Sequence, residues 1–142
     1  MTTSSDVKKI LIIDRQQHWR DLFAQALDSA GYSVSVLDDY KYPLQVSASD
    51  ETSPDLVILG CARIGVDEHD LIGHILQHKD NLLVLCTALP WNVMRSLFLT
   101  GASDVAEKSY NRDHLIEIVS QALERTTPRS SYRLVKERDF NG

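Results

Sequence analysis

The feature that most restricts the fold of this chain is a series of short apolar runs. The clearest are residues 10–13, 56–59 and 82–85, each four apolar residues without interruption. Such runs are typical of strands that are buried on both faces, as in a parallel sheet. Residues 32–36 instead alternate strictly between serine and a larger tyrosine or valine side chain. This alternation predicts a half-exposed strand at a sheet edge. Residues 105–106 predict a fifth, short strand.

Stretches with helical spacing separate these runs. The first carries one apolar stripe and is followed by Gly31, a residue type that commonly stops a helix. Its members are Trp19, Leu22, Phe23, Ala26, Leu27 and Ala30. Residues 71–76 and 115–123 predict further helices, and 38–54 at most a short, weak one. Another helix, the fourth, is predicted to start at Pro90 and to stop at Gly101, with Met94, Leu97 and Phe98 as its apolar face. The alternation predicts an α/β fold, a doubly wound five-stranded parallel sheet with right-handed crossovers.

Composition bounds the protein class. With 142 residues, 43% apolar and 25% charged, the chain suits one globular domain. We assign residues 1–6 to a disordered N-terminus, 7–126 to the domain and 127–142 to a C-terminal tail or linker. A net charge of −5 argues against direct nucleic-acid binding. No apolar run suits a membrane span and no secretory signal is evident, so we expect a cytoplasmic protein.

The two cysteines fit that location. Cys61 and Cys86 are too few for a disulfide framework and suit a reducing compartment. Both follow predicted neighbouring strands, so a redox pair is conceivable. Buried free thiols that pack as small hydrophobes are the favoured interpretation.

Polar side chains follow the predicted strands, where ligands gather in sheets of this kind. The candidate site residues are Asp14, Arg15, Gly60, Thr87 and Lys108. The order of these strand-end residues along the chain resembles that in the receiver domain of bacterial two-component response regulators. Residues 10–14, 54–59, 87–88, 101–104 and Lys108 carry the resemblance, which covers about 7–125. It implies a flavodoxin-like sheet of order 2-1-3-4-5 and a signalling domain that is not an enzyme.

The departures from that family are as informative as the matches. Arg15 stands where the family has the second of two adjacent acids that hold magnesium. Gly60 stands where the family has its phosphorylated aspartate. Ser109 replaces the proline that usually follows the family's lysine, and Val105 replaces its aromatic switch residue. Gly60 has no side chain that could accept a phosphoryl group, although it could also serve as a close-approach glycine.

The chemistry of phosphoryl transfer should therefore fail in this chain. Magnesium prefers several oxygen ligands, and the transfer depends on metal and positioned charge. Asp14 alone remains, beside Arg15 and Lys108, so a salt bridge from Asp14 to Lys108 or Arg15 is favoured over a metal. We predict a degenerate pocket with no catalytic residue, metal or cofactor.

A pseudo-receiver that binds proteins is the leading functional hypothesis. Its partner would be a signalling protein or an output module, with a homodimer also possible and no membrane binding. The resemblance implies the face of the fourth helix, fifth strand and fifth helix as the contact surface. That surface would contain Trp91, Met94, Arg95, Val105, Tyr110 and Arg112.

Two alternatives remain open at this point. One is a true phosphorelay receiver with an unorthodox acceptor at Asp55, which precedes its strand, or at Asp67, in the loop beyond it. The other is an anion or small-molecule sensor that uses Arg15, Thr87 and Lys108, although local backbone groups could equally satisfy Thr87. A nucleotide-cofactor enzyme is disfavoured, because residues 14–18 contain no glycine. His74 and His78 are favoured as a solvated helix face over a metal site.

Overall fold

A computed structural model describes residues 7–38, 40, 54–77, 81–87, 92–93, 95–96 and 104–124. The strands are β1 (Lys9–Asp14), β2 (Ser33–Leu37), β3 (Leu56–Cys61), β4 (Leu82–Cys86) and β5 (Asp104–Glu107). The longer helices within the described residues are α1 (Gln17–Ser29), α2 (Val66–Gln77) and α3 (Arg112–Glu124). Residues 92–93 and 95–96 are also helical, where the fourth helix is predicted. All five predicted strands are confirmed.

The strands form one parallel sheet in the order β2-β1-β3-β4-β5. This is the order that the resemblance implies, and β2 lies at the edge that the alternating pattern predicts. Because every strand is parallel, the residues that follow β1, β3, β4 and β5 meet along one edge of the sheet. The fold therefore gathers the predicted site residues.

The apolar runs are continuous because both faces of the sheet are covered. Ile10, Ile12 and their neighbours on one face pack against α1 and α3. Leu11, Ile13 and their neighbours on the other face pack against α2. The inner strands β1, β3 and β4 therefore need apolar residues at successive positions, which removes the alternation seen in half-exposed strands such as β2.

The first helix ends as its sequence predicts. Trp19, Phe23 and Leu27 bury its apolar stripe. Gly31 has a φ of 100°, a conformation that favours glycine, and its N–H bonds to the carbonyl oxygen of Asp28. This turn sends the chain directly into β2.

Several sequence-based assignments lie outside the described residues. They are the N-terminus 1–6, the tail 127–142, the residues Trp91, Met94 and His78, and most of the segment 38–54. None of the helices within the described ranges combines the length and apolar character that a bilayer crossing would require.

Candidate functional site at the carboxyl edge of the sheet

Asp14 and Gly60 lie side by side at the centre of this edge. They are register partners on β1 and β3. A β-carbon added to Gly60 would overlap the carboxylate of Asp14 and would lie only 2.9 Å from its Cγ. The side chain of Asp14 therefore fills the space that a side chain at position 60 would need, which is the close approach considered for this glycine.

Lys108 holds the Asp14 carboxylate in this place. Its Nζ lies 2.9 Å from Asp14 Oδ2, and both side chains are only 1% exposed. Lys108 follows β5 and is itself placed by a backbone hydrogen bond from its N–H to the carbonyl oxygen of Cys86. The predicted salt bridge is confirmed, with Lys108 as the partner.

The two oxygens of Asp14 have different surroundings. Oδ1 accepts a hydrogen bond of 2.9 Å from the N–H of Gln16. Oδ2 is buried and, within the described residues, has no contact with hydrogen-bond geometry. Its contact with Lys108 is therefore an ion pair whose strength comes from charge and proximity.

Arg15 is directed to a different partner. Its guanidinium carbon lies 3.8 Å from the centroid of the Tyr40 ring, a cation–π contact. The Tyr40 hydroxyl donates to Glu68 Oε2 at 2.9 Å, and Glu68 Oε1 accepts from the N–H of Gly65 at 2.9 Å. Arg15, Tyr40 and Glu68 thus form a connected group beside the Asp14–Lys108 pair.

Burial and hydrogen bonding fix the protonation of this group. Burial and the hydrogen bond to Glu68 raise the pKa of Tyr40, so its hydroxyl stays protonated and donates. Partial burial opposes ionisation of Glu68, but hydrogen bonds from Gly65 and Tyr40 outweigh it and lower the pKa of that carboxyl. Glu68 is therefore an ionised acceptor at neutral pH.

Tyr40 and Glu68 are site residues that the sequence reasoning missed. The spacing Gly65-x-x-Glu68 before an apolar helix is similar to a capping box, and this signal could have identified Glu68. Tyr40 offered no such signal, because it lies in a segment without readable periodicity.

An open cavity of about 450 Å³ lies at this edge. Its lining includes Asp14, Arg15, Gly60, Cys61 and Glu68. In the part of the chain that the structure describes, no three acidic, histidine or cysteine side chains are grouped to hold a metal ion. Asp14 is paired with Lys108 and Glu68 with its two donors, so these residues do not fit the magnesium site of an intact receiver.

The two cations of the predicted anion site are directed to different partners. Lys108 is buried against Asp14, and Arg15 covers Tyr40. Thr87 is exposed after β4, and its backbone N–H donates to the carbonyl oxygen of Cys61. The positive charge of Lys108 is therefore compensated inside the protein.

The predicted partner surface needs one correction. Val105 is only 6% exposed and packs in the core beneath β5, so it cannot contribute a surface side chain. Arg95 and Arg112 are exposed, and Tyr110 is 70% exposed. The Tyr110 ring stacks on Trp19, with ring centroids 4.5 Å apart.

The unorthodox acceptors are placed as follows. Asp55 lies at the opposite, amino edge of the sheet, where its Oδ2 accepts from the N–H of Lys9 at 2.8 Å. Asp67 is exposed and is the second residue of α2, whereas the sequence analysis placed it in a loop. His74 is exposed on α2, as predicted for a solvated face.

Comparison with known proteins supports the same family as the strand-end residues. No family model matches the chain. Over 122 residues it is 30% identical to the C4-dicarboxylate transport transcriptional regulatory protein DctD of Pseudomonas aeruginosa, covering 82% of this chain and 25% of that protein. Over 122 residues it is 27% identical to the response regulator MprA of Mycolicibacterium vanbaalenii, covering 84% of this chain and 52% of that protein. The chain thus spans about a quarter to a half of these relatives.

A solved structure shows the shared fold. The CheY-like response regulator receiver domain protein from Methanospirillum hungatei superposes with a TM-score of 0.69 at 19% identity, over 83% of this chain and 94% of that one. The strand order, the strand-end residues and these similarities together support a receiver domain of the response-regulator type.

Proposed function

We propose that this chain is a pseudo-receiver, a receiver domain that acts by protein association without being phosphorylated. The observation that supports it is the overlap between the Asp14 carboxylate and the side-chain space of Gly60. Position 60 lacks an acceptor, and the acid that would help to hold magnesium is bound to Lys108 instead. Phosphoryl transfer requires an acceptor side chain and a bound metal ion, and this pocket offers neither the acceptor nor a free acid for the metal.

A phosphodonor experiment tests the first half of this proposal. The chain is incubated with acetyl phosphate and magnesium, and its intact mass is measured beside a receiver that has an aspartate at the acceptor position. We expect the control to gain one phosphate and this chain to gain none. An added phosphate that is labile to alkali would contradict the proposal and would direct attention to Asp67 or another carboxylate.

Restoring an aspartate at the acceptor position tests the pocket assignment more directly than the phosphodonor experiment does. Gly60→Asp must displace Asp14, because the new side chain would enter the space that the carboxylate fills. We therefore expect Gly60→Asp to remain unphosphorylated, and Gly60→Asp combined with Arg15→Asp to gain magnesium binding. If the double variant binds no magnesium by calorimetry, these side chains do not converge and the pocket assignment is wrong.

The second half of the proposal is a partner surface around Tyr110 and Arg112. Tyr110 supplies an exposed ring, and Arg112 is exposed with a hydrogen bond to Ser29 Oγ at 3.3 Å. Exposed aromatic and arginine side chains are the types that dominate binding energy at protein interfaces. Trp19 lies beneath Tyr110, and Lys108 Nζ lies 4.9 Å from the Trp19 ring, so this surface adjoins the pocket.

The partner is proposed to be a second copy, a signalling protein or an output module, in the cytoplasm. Sedimentation velocity over a range of concentrations tests the first of these, with Tyr110→Ala and Arg112→Glu as variants. Val66→Ser is the matched control, because Val66 is 77% exposed at the start of α2. Self-association that the surface variants weaken and the control keeps would support a homodimer. Self-association that is equally weakened by the control would contradict this surface.

A further inference from the structure

Two cysteine side chains meet at the end of the sheet beside the pocket. Cys61 on β3 and Cys86 on β4 are register partners, and their Sγ atoms are 3.4 Å apart. Both are buried and both are free thiols. They belong to the core cluster that packs beneath α2, so packing holds their side chains toward each other.

We propose that Cys61 and Cys86 form a peroxide-oxidisable thiol pair that closes to an intramolecular disulfide. This modification site is independent of the proposed function and goes beyond it. The reduced pair is the resting state, in agreement with the free thiols that the sequence favours.

The geometry of the sheet suits this bond. Neighbouring strands lie roughly 4.8 Å apart, within the Cα separation of about 4.4–6.8 Å that disulfides adopt. An S–S bond measures about 2.05 Å, so the two sulfurs must approach by roughly 1.4 Å. Side-chain rotation at the strand ends can supply part of this movement, since β3 and β4 both end at these residues.

The cavity at the edge gives a small oxidant access to one sulfur. Cys61 contributes to the lining of the open 450 Å³ space, whereas Cys86 is completely buried. Hydrogen peroxide is small enough to enter such a space. Cys61 is therefore the sulfur that we expect to be oxidised first, with Cys86 as the resolving residue.

The local charge supports a thiolate within the pair. A hydrogen bond from the Cys61 thiol lowers the pKa of Cys86, burial opposes this, and the ammonium of Lys108 adds to the lowering. The hydrogen bond and charge of Cys86, together with burial, raise the pKa of Cys61. Thiolate character is therefore favoured at Cys86, with the Cys61 thiol as its hydrogen-bond donor.

The reaction balances with peroxide as the oxidant. The Cys61 thiol first passes its proton to Cys86 across their hydrogen bond. The Cys61 sulfur then attacks one peroxide oxygen, the O–O bond breaks, and hydroxide leaves to give a sulfenic acid. The Cys86 sulfur then attacks the Cys61 sulfur, the S–S bond forms, and the second hydroxide leaves. The two thiol protons convert both hydroxides to water, so two thiols and one peroxide give one disulfide and two waters.

Intact mass spectrometry of the full chain tests this proposal. The reduced protein is treated with hydrogen peroxide, and its remaining thiols are then alkylated with iodoacetamide under denaturing conditions. We expect a species that has lost two hydrogens, takes up no alkyl group and regains both thiols after dithiothreitol. Two fully alkylated cysteines, oxygen addition without a cross-link, or a disulfide between two chains would each overturn the proposal.

Single variants separate the two roles. In Cys86→Ser, peroxide should leave a sulfenic acid on Cys61 that dimedone traps, and no intramolecular cross-link should form. In Cys61→Ser, dimedone labelling of Cys86 should be at least about tenfold slower, because Cys86 is fully buried. Equal labelling of the two variants would contradict the assigned order. Alanine variants replace the serine ones if circular dichroism shows that serine in this core prevents folding.

Discussion

At the scale of single residues, the pocket depends on one missing side chain. Because Gly60 has no side chain, the Asp14 carboxylate lies against β3, where it contacts Lys108. Removing one member of a buried ion pair leaves the other charge without compensation, which is more unfavourable than removing both. The three residues therefore depend on one another for stability.

Adding one methyl group at Gly60 should destabilise the protein. In Gly60→Ala, the new Cβ would overlap the Asp14 carboxylate and push it from Lys108, so we expect a loss of about 1–3 kcal/mol in the free energy of unfolding. Urea denaturation measures this change. Gly73→Ala is the matched control, because a Cβ there would meet nothing within 4 Å.

The control should move in the opposite direction. Gly73 is exposed within α2, and alanine has the higher helix propensity, so Gly73→Ala should add up to about 1 kcal/mol. Equal effects of the two substitutions would mean that the Asp14 side chain does not occupy the space at position 60.

A double-mutant cycle should reveal the Asp14–Lys108 ion pair. We expect Lys108→Met alone to lose about 3–5 kcal/mol, since it leaves Asp14 buried without its cation. Combined with Asp14→Asn, the loss should be well below the sum of the two single losses. Thermal or urea unfolding supplies the four values, and Lys8→Met, at an exposed position, is the control. Additive losses would show that the two charges do not interact.

At the scale of elements, the start of α2 is joined to the rim of the pocket, which is formed by Arg15, Tyr40 and Glu68. Gly65 is in the N-cap position, where its carbonyl oxygen accepts the N–H of His69 and its own N–H donates to Glu68. This is the returning half of a capping box. Glu68 also accepts from Tyr40, which lies beneath Arg15. One carboxylate therefore both caps the helix and orders the rim.

Removing the charge of Glu68 should have a pH-dependent effect. Hydrogen bonds to ionised groups contribute more than those to neutral ones, so Glu68→Gln should lose about 1 kcal/mol at pH 7. Because the folded-state pKa of Glu68 is lowered, its stabilisation is present above the unfolded-state pKa and disappears as the pH falls through the folded-state pKa.

The stability difference between the wild type and Glu68→Gln should thus narrow on acidification. Urea titrations at pH 7 and at pH values below the lowered pKa measure it. Glu117→Gln, at an exposed position on α3, should change stability by less than about 0.5 kcal/mol at pH 7. A difference that stays constant with pH would contradict the ionised cap.

At the scale of the whole molecule, two apolar layers enclose a sheet whose carboxyl edge carries the Asp14–Lys108 pair, Glu68 and the two cysteines. In a receiver with an intact acidic pocket, a bound cation would stabilise the native state in proportion to the logarithm of its occupancy. Here Lys108 neutralises the Asp14 carboxylate from within the protein.

Millimolar magnesium should accordingly leave the melting temperature within about 1 °C of that in sodium chloride of matched ionic strength. Differential scanning calorimetry is the measurement. A rise of several degrees that is specific to magnesium would show that other carboxylates join Asp14, and the degenerate-pocket assignment would then fail.

The sequence by itself determined the layers of this protein and three members of its polar edge. Continuous apolar runs identified strands covered on both faces, and helical stripes identified what covers them. Both signals are local, because burial repeats with the period of each element. The positions of Asp14, Gly60 and Lys108 followed from parallel strands ending at one edge.

Only the tertiary structure decided how those residues are paired. It chose Lys108 over Arg15 for Asp14, placed Arg15 on Tyr40, brought Cys61 to Cys86, and buried Val105 that was assigned to the surface. Each of these outcomes depends on side chains that are far apart in the chain and adjacent in space. Local periodicity encodes which face of an element is buried, but rotamers and partners are selected by packing between elements.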